Sequence, residues 1–187
     1  MTRLIAKGVG MVLMLLALCW TSLAQADEAQ DRAQLNALFA QLKIARTSEA
    51  ARGVADRIWR IWTSPSDTEL AARMADAMAA RSAFDLRGCL ALLDEILADN
   101  PDYAEAWNQR ATVNYLLSDF DAALADIDRV LEFEPRHFGA LSGRAMIYLA
   151  TGQRNLALRD IIAASNYHPF LSEKQLFPEL LDDVTRI

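Results

Sequence analysis

The chain has 187 residues, 53% of them hydrophobic, with seven Gly and five Pro, enough to bury one sizeable core. Ala and Leu dominate while glycine-rich turns are scarce, which excludes an all-β chain and points to an all-α one. Its 25 acidic against 19 basic residues give a formal charge of −6, which disfavours nucleic acid as a partner.

Residues 1–26 read as a cleavable signal peptide. Arg3 and Lys7 form a short positive region and Ala24-Gln25-Ala26 a small-residue cleavage site. Between them, Met11 to Trp20 is an apolar run shorter than the roughly 20 residues of a membrane span. Cleavage leaves 17 basic and 25 acidic residues, a charge of −8, and no membrane insertion is expected afterwards. The destination is the periplasm or the exterior. Sixteen Arg against three Lys, with abundant Ala, favour a bacterial periplasm. Cys19 follows bulky Leu18, which argues against lipidation, and Cys89 is then the one remaining cysteine, so no disulfide framework is expected. Its two readings are a reactive thiol and a small buried apolar residue.

Residues 27–69 read as N-terminal helices. They form either a degenerate hairpin over residues 31–64 or capping helices whose Trp59 and Trp62 cover an apolar end. From residue 70 the chain repeats itself. Pro101, Pro135 and Pro169 are 34 apart, as are Ala77, Ala111 and Ala145, and Cys89, Ala123 and Ala157. Leu93, Ile127 and Ile161, then Ile96, Val130 and Ala164, keep the same period. Each period divides into two amphipathic helices, with Trp107, Ala111 and Tyr115 on the first and Ala123, Leu124, Ile127, Val130 and Leu131 on the second. Leu117 to Phe120 and Thr151 to Arg154 supply the turns, and each Pro ends a second helix. The units run 70–103, 104–137 and 138–171. Residues 172–187 form a C-terminal capping segment whose Leu176 to Leu181 stretch either caps the end or fills a groove of the same chain.

Residues Ala106 to Ala111, Tyr115, Phe120 to Leu124 and Leu131 to Pro135 resemble the tetratricopeptide-repeat motif. Residues 138–171 resemble it through Ala140-Leu141, Ala145, Tyr148, Gly152, Ala157 and Pro169, and 70–103 through Ala77, Asp94 to Leu97 and Asn100-Pro101. The resemblance implies an all-α, right-handed solenoid of antiparallel helix hairpins with terminal capping helices. It also implies a groove, lined by the first helices, that holds a peptide or a helix. By matching offsets Met74, Met78, Arg81, Asn108, Thr112, Tyr115, Ser142, Met146 and Leu149 face that groove. These residues are mostly apolar or neutral, which suits an apolar partner better than a carboxylate clamp.

Arg110 with Asp126 and Arg144 with Asp160 are each 16 apart and read as interhelical ion pairs. The two histidines, His137 and His168, have no metal-ligand spacing. No phosphate loop, serine elbow or nucleophile and base pair appears, so the sequence points to no catalytic residue, cofactor or metal. The expected function is an exported, non-catalytic adaptor or scaffold for a protein partner. The alternatives are a self-associating envelope component that uses the Trp59 and Trp62 face, and an enzyme with Cys89 as its reactive group.

Overall fold

The computed structural model describes residues 29–180; residues 1–28, with the expected signal peptide, and residues 181–187 lie outside them. In chain order come α1 (29–43), α2 (Ser48–Thr63), α3 (Thr68–Ser82), α4 (Leu86–Asp99), α5 (Ala104–Leu116), α6 (Phe120–Phe133), α7 (Phe138–Ala150) and α8 (Arg154–Tyr167). Two short 3-10 turns, Ser172–Leu176 and Pro178–Leu180, follow. No strand occurs among the described residues.

Most helices begin where a side chain can take a free backbone N–H. Thr47 caps α2, Asp67 α3, Asp85 α4, Asp119 α6, and His137 caps α7. Asn100, Glu134 and His168 close α4, α6 and α8, and the Pro after each cannot continue the helix. The turn inside each pair needs one left-handed residue. Phe84, Ser118 and Gly152 hold it, with φ of 60°, 63° and 76°.

The pairs α3/α4, α5/α6 and α7/α8 are hairpins, and α4 against α5 and α6 against α7 stack them. Close approach is possible because Ala77, Ala111 and Ala145 on the first helices meet Cys89, Ala123 and Ala157 on the second, all buried. Leu93, Ile127 and Ile161 fill the space beside them.

Arginines pin the stack. Arg110 reaches Asp126 of its own hairpin at 2.7 Å and Asp94 of the preceding one at 2.7 Å. Arg144 repeats this with Asp160 at 2.6 Å and Asp128 at 2.9 Å. The inner arms are the pairs expected from the sequence; the outer arms add a link between hairpins. Asp126 also accepts from Asn114 at 2.9 Å, and its hydrogen bond raises the Arg110 pKa further above the ordinary value.

The described part of the tail caps the far end. Phe177 is fully buried against Ala145, Ala157 and Ile161, and Glu179 pairs with Arg154 at 2.9 Å. It therefore does not fill the groove. The N-terminal residues form two helices, α1 and α2, and these share one core with the last hairpin. Leu38, Phe39, Leu42, Ala51, Ala55, Ile58 and Trp62 bury together with Phe138, Leu141 and Ala164. The physical reason is aromatic: α7 opens with His137-Phe138, which gives Phe39, Trp59 and Trp62 their partners.

Phe84 combines a left-handed backbone with a side chain 81% exposed, so its ring contributes little packing to offset the strain. Phe84→Gly raises the unfolding free energy by about 1 kcal/mol and Gly152→Ala lowers it by about the same. Urea unfolding followed by circular dichroism measures both; an unchanged or lower midpoint for Phe84→Gly contradicts the account.

Candidate functional site

The first helices α3, α5 and α7 lie side by side, and α2 crosses over the face they form. Trp62 stacks on His137 with ring centroids 4.0 Å apart and planes 11° off parallel. Trp59 stands edge-on to Phe138 at 5.6 Å. The Tyr103 hydroxyl, at the start of α5, donates to the Trp62 carbonyl. On the other side of the hairpin, the Arg136 guanidinium lies 4.3 Å from the Phe39 ring centroid and donates to Asn36 at 2.7 Å.

A buried polar network holds His137 in place. Its Nδ1 accepts from the Ala140 N–H at 3.0 Å, capping α7. Nε2 therefore carries the hydrogen and donates to Glu105 at 2.9 Å. Asn108 and Gln109 also donate to the Glu105 carboxylate. Glu105 is fully buried and sits in the first turn of α5, where the helix dipole favours a negative group. Burial, and behind it the Glu105 charge, pushes the Tyr103 phenol well above its ordinary range. With both ring nitrogens engaged, His137 has none free for a metal or for proton transfer. It serves as a platform.

Under and beside α2 runs a groove in three connected parts. Met78 and Arg81 of α3, Asn108, Gln109 and Thr112 of α5, and Asp56, Trp59, Arg60 and Thr63 of α2 line the first. The second is an apolar slot between α5 and α7, with Ala111, Tyr115, Ile127, Gly143, Met146 and Ile147 around it. The third runs between α2, the α7 residues Ser142, Gly143 and Met146, and the segment from His168 to Glu173. The slot shares Asn108 and Thr112 with the first part and Gly143 and Met146 with the third. Burial lowers the His168 pKa below its ordinary value, so that imidazole favours its uncharged form.

Seven of the nine residues expected in the groove line it: Met78, Arg81, Asn108, Thr112, Tyr115, Ser142 and Met146. Met74 does not. It is 0% exposed, packed inside the α3/α4 core with Ala77, Cys89 and Leu93. Leu149 does not either, since it packs in the end cluster with Phe177. Sequence offsets missed the α2 wall and the α7 glycines. Their signals were Trp59 and Trp62 at helical spacing, and Gly139 and Gly143 one turn apart inside a helix.

Cys89 is buried with Met74, Ala77 and Leu93, and burial pushes its thiol pKa up, away from a reactive thiolate. No metal-holding group of three or more His, Cys, Asp or Glu side chains occurs among the described residues. No helix among them is long and apolar enough to cross a membrane.

A TPR repeat-containing protein of Rhizobium etli is 39% identical over 126 residues, 67% of this chain. Over that stretch the chain carries repeats similar to those of a tetratricopeptide-repeat protein. The matched stretch spans 62% of that relative's own length. No family model matches the chain. Among solved structures it is similar to the crystal structure of MamA, at 16% identity and a TM-score of 0.49, covering 85% of this chain and 86% of that one. In this chain the first-helix face carries a helix of its own, and the groove is what α2 leaves open.

The contact between α2 and α7 depends on a missing side chain. A Cβ on Gly139 would lie 2.5 Å from Trp59 Cη2, a distance that forces the ring to move. Gly139→Ala, although alanine favours helix, lowers stability by about 1–3 kcal/mol and shifts tryptophan emission to the red. Chemical unfolding and fluorescence check this; a more stable variant with unchanged emission contradicts the seating of Trp59.

Proposed function

We propose that the protein is a non-catalytic adaptor that holds a peptide segment of a protein partner in the groove between α2 and the first helices. One observation carries this reading: α3, α5 and α7 turn half-buried Met78, Thr112, Tyr115 and Met146 toward one connected, largely apolar groove. A rigid stack presents such a surface with little ordering cost on binding. Nothing in the groove resembles an activated nucleophile: His137 is occupied at both nitrogens, and Cys89 lies in a different core. The leader-like first 26 residues support work outside the cytoplasm, in a bacterial periplasm.

Self-association through Trp59 and Trp62 finds less support, because Trp62 is buried and Trp59 packs against His137 and Phe138.

A photoreactive phenylalanine analogue at Met146 and, separately, at exposed Ile162 on α8 tests the reading in cells that produce the intact chain. Covalent partner adducts are expected from position 146 and not from 162. Adducts from 162 alone place the partner elsewhere, and adducts joining two copies of this chain from position 146 favour self-assembly.

A further inference from the structure

We propose that the groove binds an extended peptide by a single Leu- or Ile-sized side chain seated in the slot between α5 and α7, with an acidic residue of that peptide toward Arg60 and Arg81. The proposal rests on the adaptor reading and narrows it to a ligand class.

The slot has a volume of about 150 Å³, room for a group about the size of benzene. Ala111, Ile127 and Ile147 form its floor, with Tyr115 and Met146 beside them. Gly143 keeps it open. A Cβ there would meet nothing closer than Ile127 Cδ1 at 4.0 Å, so no tight packing requires glycine at this helical position, where alanine is the better helix former. Gly139 is the opposite case, filled by Trp59. One glycine seats α2, and the other leaves a hole beside it.

Two unpartnered polar atoms flank the slot. Gln109 Oε1 and Ser142 Oγ are buried without a hydrogen-bond partner, on side chains of residues each only 5% exposed. Gln109 lines the part of the groove on the α3 side and Ser142 the part on the tail side. An extended backbone offers an N–H and a C=O at every residue to the polar side chains that line the groove while its side chain enters the slot. A helix has spent those groups internally, and its width of about 10 Å is already taken by α2 across the same face.

Charge sets the direction. Arg60 and Arg81 face the α3-side part of the groove with only Asp56 of opposite sign, and neither arginine has an ion-pair partner among the described residues. The tail side sets one cation, Arg52, against two carboxylates, Asp56 and Glu173. An acidic residue is therefore favoured on the α3 side of the anchor.

The test is selection of a displayed library of random 12-residue peptides on the intact chain, followed by fluorescence anisotropy of the enriched peptides. Enriched sequences are expected to share one aliphatic residue with an Asp or Glu near it. Replacing that aliphatic residue by Ala weakens binding about tenfold or more, the value of burying one such side chain. Gly143→Leu, which fills the slot, costs about tenfold or more, and Arg81→Glu weakens binding severalfold. Gly143→Ala covers the chance that Leu disturbs the fold: it raises the melting temperature while weakening binding.

Enriched peptides that bind Gly143→Ala and Gly143→Leu as well as the original chain overturn the proposal. If those peptides are still lost on Met146→Glu, the slot fails and the adaptor reading survives. No enrichment at all, together with no adduct from position 146, sinks both.

Discussion

Trp62 lies flat on His137, and the position of the N-terminal hairpin follows from that contact. His137 can offer its face because α7 needs a cap, which uses Nδ1, and because Glu105 takes the hydrogen on Nε2. Burial of Phe39, Trp62 and Phe138 contributes about 1.5–3 kcal/mol for each ring. Set against a typical domain stability of about 5–15 kcal/mol, that sum makes undocking of the hairpin close to unfolding. α2 is accordingly a fixed wall of the groove, and the binding surface is what lies beside it.

Glu105 is the most exposed point of this arrangement to mutation. It is a buried carboxylate satisfied by hydrogen bonds from Asn108, Gln109 and the neutral imidazole of His137, with no Arg or Lys paired to it among the described residues. Buried ionised groups are tolerated when every lone pair is answered and become costly when one is not. The same cluster leaves Gln109 Oε1 buried and without a partner, on a residue that lines the α3-side part of the groove. The arginine pins obey a different logic. Arg110 and Arg144 each join a buried Asp to an exposed one, which fixes hairpin register and leaves the groove alone.

The repeat was legible because its causes are local and periodic. Proline ends a helix wherever it falls, and two helices can approach closely only where residues such as Ala111 and Ala123 are small. Arg110 and Asp126 could be paired for the same reason, since their spacing recurs at Arg144 and Asp160. The groove was legible by register, which works where the repeat is regular and fails at its ends. Met74 turned inward, and Leu149 was covered by Phe177. The N-terminal hairpin was not legible. Its partners in the last hairpin are about 100 residues away, as Asn36 and Arg136 are, and no periodicity announces a contact of aromatic rings across that distance. The local hints were Trp59 and Trp62 at helical spacing and Gly139, a glycine in a helix where alanine would otherwise serve.

The most direct measurement is the distance between spin labels at Arg52 on α2 and Glu173 beyond α8, which line the same part of the groove, in a chain with Cys19 and Cys89 changed to serine. Docking of the hairpin across the first-helix face predicts one short, narrow distance distribution. A broad distribution, or a second population at long distance, would contradict it and return the whole face of α3, α5 and α7 to solvent.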